Sequence, residues 1–110
     1  MPLEKWSEEV VVLHLADDPQ FTEDLESLEE TLILSPVDAV LEFGSVHFIN
    51  SSNIAKLLKV RKKMVTQGTR LLLCNIGTQV WSVFLITGLD KIFEVSDSVP
   101  TALATLQIAK

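Results

Sequence analysis

Val37-Asp38-Ala39-Val40-Leu41-Glu42-Phe43, then Gly44-Ser45-Val46-His47-Phe48-Ile49-Asn50-Ser51-Ser52-Asn53, then the segment from Ile54 to Gln67 form the stretch that decides the fold. The first part is a nearly continuous apolar run, the composition of a strand buried on both faces. The last part carries apolar residues at helical spacing, which assigns Ile54, Leu57, Leu58, Met64 and Val65 to a buried face and the lysines mostly to water. Gly68 closes this helix as a C-terminal glycine. A buried strand, a connection and an amphipathic helix make one β–α unit.

Working outward, the same alternation repeats. Upstream, Val10–Leu15 is a β-branched strand, and Leu3–Trp6 can pair with it through a turn at Ser7-Glu8. Asp17-Asp18-Pro19 ends the strand, because proline lacks a donor and restricts its predecessor. Thr22 is the expected N-cap of a first helix, with Glu23 and Asp24 at its positive end and Leu25, Leu28 and Leu32 in one stripe. Ser35-Pro36 stops it. Downstream, Arg70–Asn75 is a second buried strand, and a third helix is predicted over Thr78–Thr87 with Val80, Trp81, Phe84 and Leu85 inward. Gly88 followed by Leu89 fits a left-handed cap. A short strand over Ile92–Val95 precedes Ser98 as N-cap and a last helix over Val99–Ile108, with Pro100 in its first turn. Strands added side by side through crossovers of constant hand place the helices on one face. The expectation is therefore an α/β fold, a single-layer, mainly parallel sheet of four to five strands with about four helices, in one domain over residues 1–110.

Composition bounds the function. A chain of 110 residues has room for one core, and 47% hydrophobic with 22% charged residues is a globular balance. No apolar run approaches the roughly 20 residues of a membrane-spanning helix. The start MPLEKWSEE lacks the basic and apolar regions of a secretory signal, so a cytoplasmic protein without membrane insertion is expected. The single cysteine, Cys74, excludes an internal disulfide and a multi-thiolate zinc site, and it lies in an apolar run as a small hydrophobe. His14 and His47 have no ligand spacing around them, and neither metal nor cofactor is expected. A net charge of −6 argues against nucleic acid as a partner. Ten of the fifteen acids lie in residues 1–30, whereas five basic residues, Lys56, Lys59, Arg61, Lys62 and Lys63, fall within eight positions. That run is either a solvated helix face or a docking face of defined sign. No glycine-rich phosphate loop, Ser-His-Asp or Cys-His set, or facing carboxylate pair is present, which argues against an enzyme. Asp38 and Glu42 are taken as the polar ends of their strand.

Asn50-Ser51-Ser52-Asn53 is the informative tetrapeptide. Each of the first three side chains can accept from a free N–H of the helix's first turn, and Ser51 is the expected cap. Capping explains one such residue; four in a row leave others to be explained. Here the chain resembles the STAS family of anti-sigma factor antagonists. Phe48-Ile49-Asn50-Ser51-Ser52 before an amphipathic helix is similar to that family's F-[IMV]-D-S-S-G pattern. The likeness continues through Gly68-Thr69-Arg70-Leu71, Asn75-Ile76 and Val80-Trp81. It is clearest at Leu85-Ile86-Thr87-Gly88-Leu89-Asp90-Lys91-Ile92-Phe93, and Ala102-Leu103 falls where the family's last helix has it.

The resemblance implies a binding role in bacterial transcription regulation. Such antagonists bind an anti-sigma factor that is also a serine kinase; phosphorylation at the start of the second helix switches them off, and a serine phosphatase restores them. The acceptor position corresponds to Ser52, with Ser51 the second choice. The partner-binding set expected from the likeness and the charge pattern is Asp17, Asp18, Asn50, Ser51, Ser52, Asn53, Lys56 and Lys59, on a monomer or weak dimer. Three features depart from the family: Asn50 replaces its aspartate, Asn53 replaces its glycine, and Ala16-Asp17-Asp18-Pro19 replaces a glycine-containing loop. The Asn50 and Asn53 departures also keep an alternative role open, a non-catalytic subunit of a stress-signalling scaffold or of a lipid-transport complex with an unphosphorylated motif.

Overall fold

The computed structural model describes residues 3–108. Its strands are β1 (Leu3–Lys5), β2 (Val10–Ala16), β3 (Asp38–Ser45), β4 (Leu71–Cys74) and β5 (Glu94–Ser96). Its helices are α1 (Gln20–Leu34), α2 (Ser51–Gln67), α3 (Thr78–Thr87) and α4 (Val99–Ile108), with a 3-10 turn at Leu89–Lys91. The five strands lie side by side in chain order. β1 pairs antiparallel with β2, and the other three pairings are parallel, so the expected fold class is the one observed.

Period-two alternation sorts each central strand onto two faces. Val11, Leu13, Leu15, Ala39, Leu41, Phe43, Leu71 and Leu73 face α1, α2 and α3, which supply Phe21, Leu25, Leu28, Leu32, Leu57, Val60, Met64, Val80 and Phe84. An aromatic chain runs through this core: Phe43 meets Phe21 edge-on at 6.1 Å and Phe84 at 6.3 Å, and Phe84 continues to Phe93 and Trp81. The intervening residues Val10, Val12, Val40, Leu72 and Cys74 form a second cluster, covered by Ala102 and Leu106 of α4. One-face placement thus holds for α1, α2 and α3 and fails for α4. The handedness rule binds only helices that cross between parallel strands, and α4 does not lead into another described strand.

Several local expectations need correction. α1 begins two residues before Thr22, which lies inside the helix. Asp18 does the N-terminal work instead, its Oδ1 accepting from Thr22 N–H at 3.0 Å and from Thr22 Oγ1 at 2.7 Å. On α2 the buried row is Asn53, Leu57, Val60 and Met64, while Leu58 and Val65 are exposed. Positions 53, 57, 60 and 64 share one helical face; Leu58 and Val65 lie about 100° away from it. On α3, Val80 and Phe84 are buried, Trp81 is half-buried and stacked on Phe84, and Leu85 is exposed. The last strand is Glu94–Ser96, because Ile92 and Phe93 are taken up by the turn after Gly88. Gly68 and Gly88 do adopt the left-handed conformation, at φ 76° and 78°. Asp38 opens β3 as one of its polar ends, is buried, and accepts from the backbone N–H of Arg70 at 2.9 Å, so it bridges β3 to the start of β4.

Candidate functional site

The carboxyl ends of the parallel strands deliver three connections to one edge of the molecule: Asp17-Asp18-Pro19 after β2, Val46–Asn50 after β3, and Asn75-Ile76-Gly77 after β4. The first two are joined side chain to backbone. Asp17 Oδ1 accepts from the N–H groups of His47 at 2.7 Å and Phe48 at 3.2 Å, and Asp17 Oδ2 lies 2.9 Å from His47 Nδ1. The bonds from His47, backbone first and ring second, hold the Asp17 carboxyl below its ordinary range. They also fix the backbone at Phe48, whose ring stands 74% exposed.

α2 is capped by Asn50 and not by Ser51. Asn50 Oδ1 accepts from Asn53 N–H at 2.8 Å, and Asn53 Oδ1 accepts from Asn50 N–H at 3.1 Å, a reciprocal capping box. Asn53 is buried, and its remaining donor, Nδ2, reaches Asp18 Oδ2 at 2.8 Å. Asn53 first and Thr22 second depress the Asp18 pKa. With both asparagines occupied, Ser51 and Ser52 occupy the first two helical positions with exposed side chains, and neither hydroxyl has a hydrogen-bond partner among the described residues. Their backbone N–H groups belong to the unpaired set at a helix start, where the macrodipole favours negative charge.

The expected partner set divides in two. Asp17, Asp18, Asn50, Ser51, Ser52 and Asn53 come together as one interlocked corner, to which the structure adds His47 and Phe48. Lys56 and Lys59 lie farther along α2 and are engaged with α1. Lys56 Nζ lies 2.9 Å from Glu26 and 3.9 Å from Glu29, and Lys59 Nζ lies 3.4 Å from Glu29. Glu26 is the first cause of a raised Lys56 pKa. Part of the lysine-rich face is thus committed to the helix pair, whereas Lys62 and Lys63 make no ion pair among the described residues. His47 has no sequence signal of its own; its role follows from the spatial meeting of two loops. Phe48 lies in the Phe48-Ile49-Asn50-Ser51-Ser52 motif, and its side chain is exposed at this corner.

Among the described residues no group of histidine, cysteine or acidic side chains could hold a metal ion. No described helix is long and apolar enough to cross a membrane. No curated protein matches the sequence. Solved structures that share the architecture include SpoIIAA from Bacillus in its phosphorylated form, with a TM-score of 0.74, 20% identity, and coverage of 94% of this chain and 96% of that one. An RsbS variant from Moorella thermoacetica gives 0.81 at 16% identity over 100% of both chains. An anti-sigma factor antagonist domain protein from Planctomyces limnophilus gives 0.79 at 16% identity, over 92% of this chain and 93% of that one. At such identities these likenesses attest the fold. The family model described as STAS domain matches residues 8–102, nearly the whole described sheet with α1, α2 and α3, and the chain belongs to the STAS domain family.

Proposed function

We propose that the protein is an anti-sigma factor antagonist, acting by binding an anti-sigma factor with serine-kinase activity and switched off by phosphorylation of Ser52. One observation carries the reading: Asn50 and Asn53 perform the side-chain capping at the start of α2, which leaves two exposed serines on its first turn whose hydroxyls have no hydrogen-bond partner among the described residues. A phosphoryl group there adds about −1.5 to −2 charges. The unpaired N–H groups of the first turn are suited to receive it, so the fold tolerates the change. A partner carboxylate about 5 Å away would then cost on the order of 1–3 kcal/mol per added charge, a ten- to hundredfold loss of affinity. Ser52 is preferred to Ser51 because it holds the family's acceptor position. The interlocked Asp17-Asp18 loop and the exposed Phe48 ring supply a rigid, mixed acidic and apolar rim beside it.

Affinity capture from the native host tests the proposal, with the Ser52→Ala chain as bait and the Ser52→Asp chain as control. Retention of a protein with an anti-sigma kinase domain on the first bait alone is the expected result. A second reading, a scaffold or transport-complex subunit, is favoured by the buried Asn53–Asp18 bond, which gives α2 a stable start without the family's aspartate and glycine. Capture of a scaffold or lipid-transport complex by both baits would establish that reading instead.

A further inference from the structure

A second polar cluster lies at the same end of the sheet but on the opposite face, the one that carries α4. His14 on β2 stands between two carboxylates. Its Nε2 lies 2.5 Å from Glu4 Oε1 on β1, and its Nδ1 lies 3.2 Å from Glu42 Oε1 on β3. Glu42 is held from its other oxygen, Oε2 accepting from Gly44 N–H at 2.6 Å and from Asn75 Nδ2 at 3.0 Å. A Cβ at position 44 would collide with that oxygen, so glycine there is what lets the carboxylate fold back onto the backbone. Glu42 was expected as a polar end of its strand; it is the centre of a network linking β1, β2, β3 and the residue after β4.

Ring chemistry limits what His14 can be. A neutral imidazole has one N–H and one lone pair, so it can donate to only one of the two carboxylates and must turn its lone pair toward the other. Only the imidazolium donates to both. Among the described residues no cation besides His14 pairs with Glu4 or Glu42: Lys5 pairs with Glu8, Cys74 on β4 is buried beside Glu42 with its thiol pushed up to about 11, and α4 has no titratable residue.

We propose that His14 is a proton-operated clasp that holds the edge strand β1 onto the sheet by bridging Glu4 to Glu42. β1 has three described residues in register with β2, Leu3 with Leu13, Glu4 with Val12 and Lys5 with Val11, and besides this ladder, the packing of Leu3 on the core and the turn to Val10, the charged link is what ties it to the sheet. Loss of the proton turns the ring lone pair toward one of the two carboxylates at hydrogen-bond distance, so the bridge between Glu4 and Glu42 is broken at one end, and β1 loosens while the parallel strands, buried on both faces, remain. Glu42 also holds Gly44 near the end of β3, just before the connection that carries Phe48 and leads into α2 with Ser52, so the clasp ends on the strand that positions the candidate switch.

Burial acts to lower the His14 pKa, and hydrogen bonds and charge from Glu4 and then Glu42 outweigh it, leaving the pKa above the ordinary 6.5. The sign follows. A group whose pKa is raised by folding contributes its full stabilisation below the unfolded value and loses it as pH rises through the folded value. The test is NMR on the full chain between pH 5 and 9, reading the His14 ring nitrogens together with amide-exchange protection factors for residues 3–5. We expect a doubly protonated ring at the low end and a pKa above 6.5. We also expect β1 protection to fall across that titration by up to about tenfold per unit of elevation, while β3 and β4 stay protected. In Glu4→Gln the His14 pKa should drop and the pH dependence of β1 protection should vanish. Because Glu4 is exposed, this variant folds regardless of how Glu42 variants behave. A His14 pKa at or below 6.5, β1 protection that ignores the titration, or a Glu4→Gln chain with the wild-type profile would each overturn the clasp.

Discussion

Asn53 donates from Nδ2 to Asp18 Oδ2 across 2.8 Å, and this bond joins two of the places where the chain departs from its family's pattern. Asn53 stands where the resemblance implies a glycine and Asp18 where it implies a glycine-containing loop, and each is the other's hydrogen-bond partner. Asn53 brings a side chain into the first turn of α2, and Asp18 gives its amide a partner, so the buried polar group is satisfied.

Breaking this bond from either side should cost stability in proportion to what is left unpaired. Asn53→Gly removes the bond and half of the capping box and places glycine in the helix, an expected loss of about 2–3 kcal/mol. Asp18→Asn keeps an acceptor and should cost less than Asp18→Ala. Urea denaturation of the four chains checks the ranking.

The Asp17 and Asp18 carboxyls have pKa values below the ordinary 3.8, from His47 and from Asn53 respectively. Groups depressed by folding stabilise above the unfolded pKa, and that contribution is lost as pH falls through the folded value. Amide protection at His47 and Phe48 should therefore persist at pH 5 and decline below about pH 3.8. Asp17→Asn should remove most of that acid dependence. Protection that is flat down to the acid unfolding of the whole chain would show that the loops do not depend on the charge.

Phe43 is fully buried between Phe21 and Phe84. Phe43→Ala should destabilise by about 3–5 kcal/mol, because it removes the middle of the aromatic chain and leaves a cavity. Trp81 stacks on Phe84, so its emission in a Trp6→Phe background should also move red in this variant. A thermal melt with fluorescence detection reads both effects.

Much of this was legible in the chain because local signals agreed. The helices over Thr78–Thr87 and Val99–Ile108 carried their boundaries in Gly88 and Ser98, and the left-handed glycines stood where the periodicity ended. The misassigned positions are those decided by neighbours distant in sequence. Leu57 and Leu58 are equally apolar, and which one is buried depends on how α2 rolls onto β3. The placement of α4 was implicit in β3 and β4 being apolar on both faces, which demands cover on both sides; the handedness argument pointed the other way. At the site, serine and asparagine cap comparably well, and the choice of Asn50 follows from its reciprocal partner, Asn53. The His47–Asp17 and His14–Glu42 pairs span about thirty residues and needed the parallel register to become visible.

The lysine face should divide as its ion pairs do. Lys56→Glu places a third acid against Glu26 and Glu29, so it should lower stability, most clearly at low salt, as well as partner affinity. Lys59→Glu should weaken association mainly through its on-rate and in a salt-dependent way, and Lys63→Glu should do so less, being one turn farther from Ser52. Stopped-flow association at two ionic strengths, alongside denaturation curves, separates the two effects. Equal rate effects at all three sites would point to a diffuse field without a footprint.

The central claim rests on Ser52, and peptide mapping after incubation with the captured kinase and ATP tests it most directly. The account predicts one phosphate, on Ser52, with Ser52→Ala blocking it and binding constitutively, and Ser52→Asp folding normally but binding at least about tenfold more weakly. Phosphate on Ser51 alone, or an unmodified chain whose Ser52→Asp variant still binds fully, would contradict it.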